Sequence, residues 1–206
     1  MSKGNSVYGK EYWDQRYNDK RYCYGEEPNS FLLENFKLIR PEGNILCLSE
    51  GEGRNATFLS LNGFNVTAVD LSSVAKKKAL ALAKKNGVQF EYDVADLKDY
   101  DLGKLKWDAI ISISAHLPSQ IRSQLYPSIK ESLKDEGIFL LEGYNIQQLE
   151  YNSGGPKDPD MMFSKHELEK QFLNFSILLS KDTIRDVVEG AFHTGEASVT
   201  QFIARK

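Results

Sequence analysis

The stretch Asn44-Ile45-Leu46-Cys47-Leu48-Ser49-Glu50-Gly51-Glu52-Gly53-Arg54-Asn55-Ala56 decides how this chain folds. Its first five residues read as a buried strand, preceded by the turn Pro41-Glu42-Gly43. Arg54 to Leu61 reads as a helix ended by the C-cap pair Asn62-Gly63. Between them, Gly51 and Gly53 allow a tight turn and close approach of another molecule to the backbone. The same alternation continues outward. Asn65 to Val69 is a second strand, Ser73 to Lys85 a second helix ended by Asn86-Gly87, and Val88 to Tyr92 a third strand. Trp107 to Ile113 is apolar almost throughout, as a strand covered on both faces requires. Pro118 to Leu133 is a helix with proline in its first turn, and Ile138 to Glu142 a fifth strand. Strands alternating with helices predict βαβ units and a parallel sheet. The last part departs from this pattern. A helix starts at Ser164 and runs to Phe172, and then Ile177 to Leu179 and Val199 to Ile203 follow without a clear helix between them, which predicts a closing hairpin with an antiparallel strand.

Composition bounds the rest. The chain has 206 residues, 41% hydrophobic and 27% charged, enough for one packed core and too apolar for disorder. With 26 Lys and Arg against 29 Asp and Glu, its net charge of −3 makes it a poor candidate for binding nucleic acid or anionic membrane. No apolar run approaches the roughly 20 residues of a membrane span, and Met1 to Tyr24 lacks a signal-peptide core. Cys23 and Cys47 form neither a zinc spacing nor a disulfide framework, so no metal is expected and a reducing, cytoplasmic setting is. Lys76, Lys77, Lys78, Lys84 and Lys85 spread around the polar side of their helix while Ala75, Ala79, Leu82 and Ala83 face the sheet. They are read as a solvated face.

The glycine loop has a second half. Asp70 ends the second strand, 19 residues beyond Gly51, where a carboxylate can accept hydrogen bonds from both hydroxyls of a ribose. The helix after the loop offers free N–H groups to an anionic ligand group. Together these point to a nucleoside-containing ligand. Gly51-x-Gly53-x-x-Ala56 also fits a dinucleotide fingerprint, which keeps a nicotinamide-dependent oxidoreductase as the alternative. Against it stand the aromatic-rich segment before the first strand and a second acid, Asp96, placed after the third strand to face an adenine amino group.

Ile45 to Ala56, Val66 to Ser72 and Val94 to Leu97 resemble motif I, the following acid and motif II of class I S-adenosylmethionine-dependent methyltransferases. Trp13 to Tyr17 and Tyr24 to Asn29 are similar to the N-terminal lid of small-molecule members such as the tellurite-resistance and thiol methyltransferases. Two positions depart from the pattern: Cys47 stands where an acid is usual and Ser49 where the first loop glycine is usual, while Glu50 brings an acid into the loop itself. The resemblance implies a single α/β domain over residues 1–206, with residues 1–40 as a helical lid and 41–206 as a Rossmann-like core. That core is a three-layer sandwich whose sheet of about seven strands is mostly parallel with an antiparallel last strand. It also implies S-adenosyl-L-methionine as cofactor, held by Trp13, Tyr24, Glu50, Gly51, Gly53, Asn55, Asp70, Leu71, Ser72, Ala95, Asp96, Leu97 and Ser112. Its methyl goes to a small-molecule acceptor, a thiol or other chalcogen on this resemblance; a cofactor-binding module without turnover is the alternative from outside enzymes.

For the acceptor side, His116, Arg185 and His193 are the candidates. His116 follows the fourth strand, at the carboxyl ends where ligands gather, and imidazole titrates near neutrality. Arg185 and His193 flank a polar, glycine-bearing loop between the last two strands, while His166 is read as solvent-facing. The turn-rich loop Asn152 to Pro159 is placed at the site's mouth. Of the four aromatic residues Trp13, Tyr17, Tyr22 and Tyr24, Trp13 and Tyr24 are assigned to closing over a sulfonium, the others to packing. The chain lacks the Asn/Asp-Pro-Pro-aromatic tetrad and the Pro-Cys nucleophile of nucleic-acid methyltransferases.

Overall fold

Alternation of apolar residues along each strand sends neighbours to opposite faces, and both faces are covered. The computed structural model describes residues 8–206, so the first seven residues of the expected lid lie outside the described ones. The strands are β1 (Asn44–Leu48), β2 (Asn65–Asp70), β3 (Glu91–Val94), β4 (Trp107–Ile113), β5 (Leu133–Tyr144), β6 (Ser176–Glu189) and β7 (His193–Arg205). They form one seven-stranded sheet in the order β3-β2-β1-β4-β5-β7-β6. β1 to β5 pair in parallel, and β7 runs antiparallel between β5 and β6. This is the α/β, Rossmann-like arrangement with an antiparallel last strand.

The helices are α1 (Lys10–Tyr17), α2 (Ser30–Asn35), α3 (Arg54–Leu61), α4 (Ser73–Lys85), α5 (Ser119–Ser132) and α6 (Lys165–Gln171). Ile45 and Cys47 of β1, with Ile111 and Leu140, bury against Phe31 and Leu32 of α2, Leu59 of α3 and Ala79 of α4. Leu46 and Leu48 point the other way, joining Phe139 and Phe202 against Leu125, Tyr126 and Ile129 of α5 and Leu168 of α6. Each fully buried aliphatic side chain there contributes about 1.5–3 kcal/mol. Helices therefore cover both faces, giving three layers.

Several strand boundaries differ from expectation. β3 starts at Glu91, not Val88, and β5 begins at Leu133, directly after α5, with a register shift where Leu133 meets Trp107. The closing hairpin is much longer than its two apolar cores: β6 and β7 pair from Ser176↔Arg205 to Glu189↔His193. β6 is an edge strand, so many of its residues stay exposed and polar and its apolar signal is weak.

Candidate active site

A cavity of about 490 Å³ opens at the carboxyl ends of the parallel strands. Each loop that leaves a strand supplies part of its wall: Ser49 to Glu52 after β1, Leu71 after β2, Ala95 to Leu97 after β3, and Ser114, His116 and Leu117 after β4. Ser49 and Ser114 both adopt left-handed backbone, with φ of 49° and 53°. Ser49 thus holds, without being glycine, the conformation that favours glycine at this loop position.

The expected glycines do different work. Gly51 lines the cavity, and a Cβ there would lie 2.7 Å from the hydroxyl of Tyr17. Gly53 does not line it. Its absent side chain admits Ala79 of α4, whose Cβ would be 2.6 Å away, so Gly53 serves the packing of α3 on α4. Ser72 is likewise structural: its hydroxyl accepts from Ala75 N at 3.0 Å, capping α4, and donates to Asp14 of α1 at 2.6 Å. Ser112 is buried within β4, behind the wall.

Two buried carboxylates face the cavity with no cation within 4.0 Å among the described residues. Asp70 accepts from Gly51 N at 3.0 Å and Ser72 N at 2.9 Å. Burial nonetheless pushes its pKa up to about 6. Glu50 accepts from Ala56 N at 2.8 Å, inside the first turn of α3, and burial pushes it up to about 7. The same carboxyl, after burial, helps to hold the Cys47 thiol well above its ordinary range. Asp96 accepts from Lys98 N at 3.0 Å in a tight turn and lines the cavity beside Ala95 and Leu97.

An aromatic roof closes the cavity. Trp13 stacks on Tyr17 with centroids 5.6 Å apart, and Tyr17 meets Tyr24 edge-on at 6.2 Å. All three line the cavity, so Tyr17, read as packing, belongs to the roof. The roof is tied down by residues that sequence reasoning missed. Glu52 accepts from Cys23 N at 2.7 Å and pairs with Lys78. Lys78 is no solvated residue: its ammonium donates to the carbonyls of Asp19 at 2.8 Å and Arg21 at 2.6 Å. Neither cysteine is activated; burial raises both thiols.

His116, Arg185 and His193 part company. His116 borders the cavity, but both ring nitrogens are used: Nδ1 donates to Met161 O at 2.9 Å and Nε2 accepts from Tyr144 N at 3.2 Å. Burial holds its pKa down to about 4, so it is a neutral structural histidine, against the expected catalytic role. Arg185 does not line the cavity. Its guanidinium lies 2.6 Å from Glu142 and 2.8 Å from Glu189, in a buried network that Arg54 joins through Glu189 at 2.5 Å. Asn29 donates to both carboxylates, at 2.7 and 2.9 Å, and Asn55 accepts from Asn29 N at 3.0 Å. This network binds the lid, the glycine loop and the closing hairpin to one another. His193 lines one wall of the cavity, with its ring 4.5 Å from Tyr24 and its Nδ1 4.0 Å from Glu189. Phe192, Met161, Gly154, Gly155 and Pro156 complete that wall, the last three from the expected turn-rich loop. His166 is exposed, as expected.

Residues 45–137 match a family described as a methyltransferase domain. The ubiquinone biosynthesis O-methyltransferase of Rickettsia conorii is 30% identical over 110 residues, 53% of this chain and 38% of that protein. The chain thus spans well under two thirds of the curated relatives it matches first. Among solved structures, TehB from Haemophilus influenzae superposes with a TM-score of 0.72 at 18% identity, over 96% of this chain and 66% of that one. A structure concerned with conversion of a disulfide bond into a thioacetal group during echinomycin biosynthesis gives 0.74 at 20% identity, over 97% and 90%.

Proposed function

We infer an enzyme that transfers the methyl group of S-adenosylmethionine to a small-molecule nucleophile, a thiol or other chalcogen, a reading supported by the methyltransferase-domain match over residues 45–137 and by the fold shared with TehB. The observation that carries the reading is the pairing of two buried acids without an ion-pair partner among the described residues, Glu50 and Asp70, with an aromatic roof over the same cavity. A nucleoside bearing a sulfonium and an ammonium suits both features, since aromatic faces and carboxylates each attract cations. A nicotinamide dinucleotide, whose diphosphate is anionic, would set negative charge against Glu50 in the loop. Among the described residues no helix is long and apolar enough to cross a membrane.

Asp70 would accept the ribose hydroxyls, Leu71, Ala95, Asp96 and Leu97 would enclose the adenine, and Gly51 and Asn55 would border the methionyl arm. When bound, S-adenosylmethionine supplies an electrophilic methyl. The chain's own task is to align the acceptor and exclude water, which Trp13, Tyr17 and Tyr24 do by roofing the cavity. A thiolate attacks with little help, so His193 acts as an orienting group for the acceptor.

Calorimetric titration with S-adenosylmethionine, S-adenosylhomocysteine and NADH tests the reading. Micromolar binding of the two sulfur nucleosides without NADH is expected, and NADH alone would overturn it. Asp70→Ala should weaken the nucleosides by about 1–3 kcal/mol; unchanged affinity would remove the ribose contact. Turnover on a panel of thiols then tests the acceptor class.

The same titration carries a pH dependence of defined sign. Asp70 and Glu50 hold protons in the free protein up to about pH 6 and 7, whereas a cationic, hydroxyl-bearing ligand favours the carboxylates. Binding therefore releases protons, and affinity falls as pH drops through this range. A loss of about tenfold between pH 7.5 and 5.5 is expected. Without ligand the sign is opposite: both raised pKa values lower stability as pH climbs from their ordinary range through the folded values. A pH-independent affinity would show that neither acid faces the cation.

A further inference from the structure

The cavity is electrically polarised. The acids Glu50 and Asp70 border the half assigned above to the nucleoside, Asp96 and Glu52 are paired with Lys98 and Lys78, and Arg16 borders the corner of Phe192 and His193, whose imidazole burial keeps neutral. The remaining cations on the wall are spoken for: Lys10 pairs with Asp14 and Arg54 with Glu189. Arg16 has no carboxylate within 4.0 Å among the described residues. Its guanidinium donates to the hydroxyl of Tyr12 at 2.6 Å and otherwise lies over rings, 4.3 Å from the Phe192 centroid and 5.4 Å from that of Tyr12.

Its place on α1 decides which half it serves. Trp13 and Tyr17 of the same helix roof the glycine loop and Asp14 caps toward α4, but Arg16 leans on Phe192, the neighbour of His193. Tyr24, 4.5 Å from the His193 ring and 6.2 Å from Phe192, closes the same corner. A guanidinium stacked on an aromatic face is weakly hydrated, and its planar fork is held ready for two parallel hydrogen bonds to an oxyanion. A neutral molecule in that corner would cover the cation without replacing its lost water.

We propose that Arg16 is the anion-binding residue of the acceptor half, so that the methyl acceptor is a small molecule carrying a carboxylate or comparable oxyanion beside its nucleophile. The assignment of halves rests on the methyl-transfer reading above. Arg16 holds the anionic end against Phe192 and leaves the nucleophile to face the cofactor side.

Benzoate and its neutral counterpart benzamide, titrated calorimetrically into the S-adenosylhomocysteine-saturated protein, test this. Benzoate should bind at least tenfold more tightly. Arg16→Met should remove that preference by weakening benzoate alone, and Arg16→Lys should restore part of it. S-adenosylhomocysteine and 5′-methylthioadenosine, which lacks the amino-acid arm, should bind Arg16→Met within twofold of the parent. Equal binding of benzoate and benzamide, no saturable benzoate binding, or a preference that survives Arg16→Met overturns the proposal. So does loss of S-adenosylhomocysteine with 5′-methylthioadenosine retained, which would assign Arg16 to the cofactor's own carboxylate. If neither nucleoside binds the parent protein, the methyl-transfer reading falls separately, and the benzoate comparison in unliganded protein still decides whether Arg16 reads an anion.

Discussion

Arg185→Met should destabilise the fold by about 3–5 kcal/mol, as expected when one partner of a buried ionic pair is removed. Glu142 and Glu189 are both buried, and Arg185 touches each of them. Asn29 and Gln201 add uncharged donors to Glu142, the latter at 2.5 Å, but without Arg185 one guanidinium, Arg54, remains for two carboxylates. Burial alone would raise Glu189; His193, Arg54 and Arg185 together hold it well below the usual carboxylate range. In the variant one carboxylate takes up a proton more readily, so the deficit should shrink as pH falls from 7.5 toward 5. Urea unfolding at both pH values measures it. A loss below about 1 kcal/mol would mean that the network is dispensable.

Gly51→Val should abolish usable cofactor binding, with a loss of at least about a hundredfold, or near 3 kcal/mol. The residue sits at φ of 62°, and the added Cβ meets the Tyr17 hydroxyl. The roof must lift just where the ligand needs backbone contact. Gly63→Ala is the matched control: its φ is 83° but nothing lies within 4 Å of the new Cβ. It should cost stability of about 1 kcal/mol and leave affinity unchanged. Equal nucleoside affinities in parent and Gly51→Val, by calorimetry, would take the glycine loop out of the site.

Local patterns carried the parallel half of the fold because each strand there is short, buried and bounded by turn residues. The loop after β1 and the acid ending β2 were legible for the same reason: their spacing along the chain fixes their spacing in space. Long-range partnerships were not legible. Lys78 sits among lysines that share its helix, and only the folded chain shows the carbonyls of Asp19 and Arg21 around its ammonium. Arg185 and His116 carry residue types suited to chemistry, yet what separates a structural from a reactive side chain is whether its polar atoms are already bonded. His116 has both nitrogens engaged. Arg16 was overlooked for the converse reason, since an arginine between aromatic residues in a lid looks like surface. The polar run of β6 hid the true length of the hairpin because an exposed edge strand needs little apolar signal.

The position of β7 bears on how the protein is made. It follows every other element along the chain yet lies inside the sheet, between β5 and β6. The hairpin tip that it shares with β6 presses Gly190 against the backbone of Cys23 to Gly25, where even a methyl group would not fit. On a ribosome, β1 to β4 and the nucleoside half can assemble while the rest is still being added. The wall around His193 waits for pairings between residues as distant as Asn29 and Glu189. Such contacts close large loops and form late. A growing chain would thus acquire the glycine loop, the acid that ends β2 and the aromatic roof before the opposite wall, which is complete only once the final strand has been threaded into place.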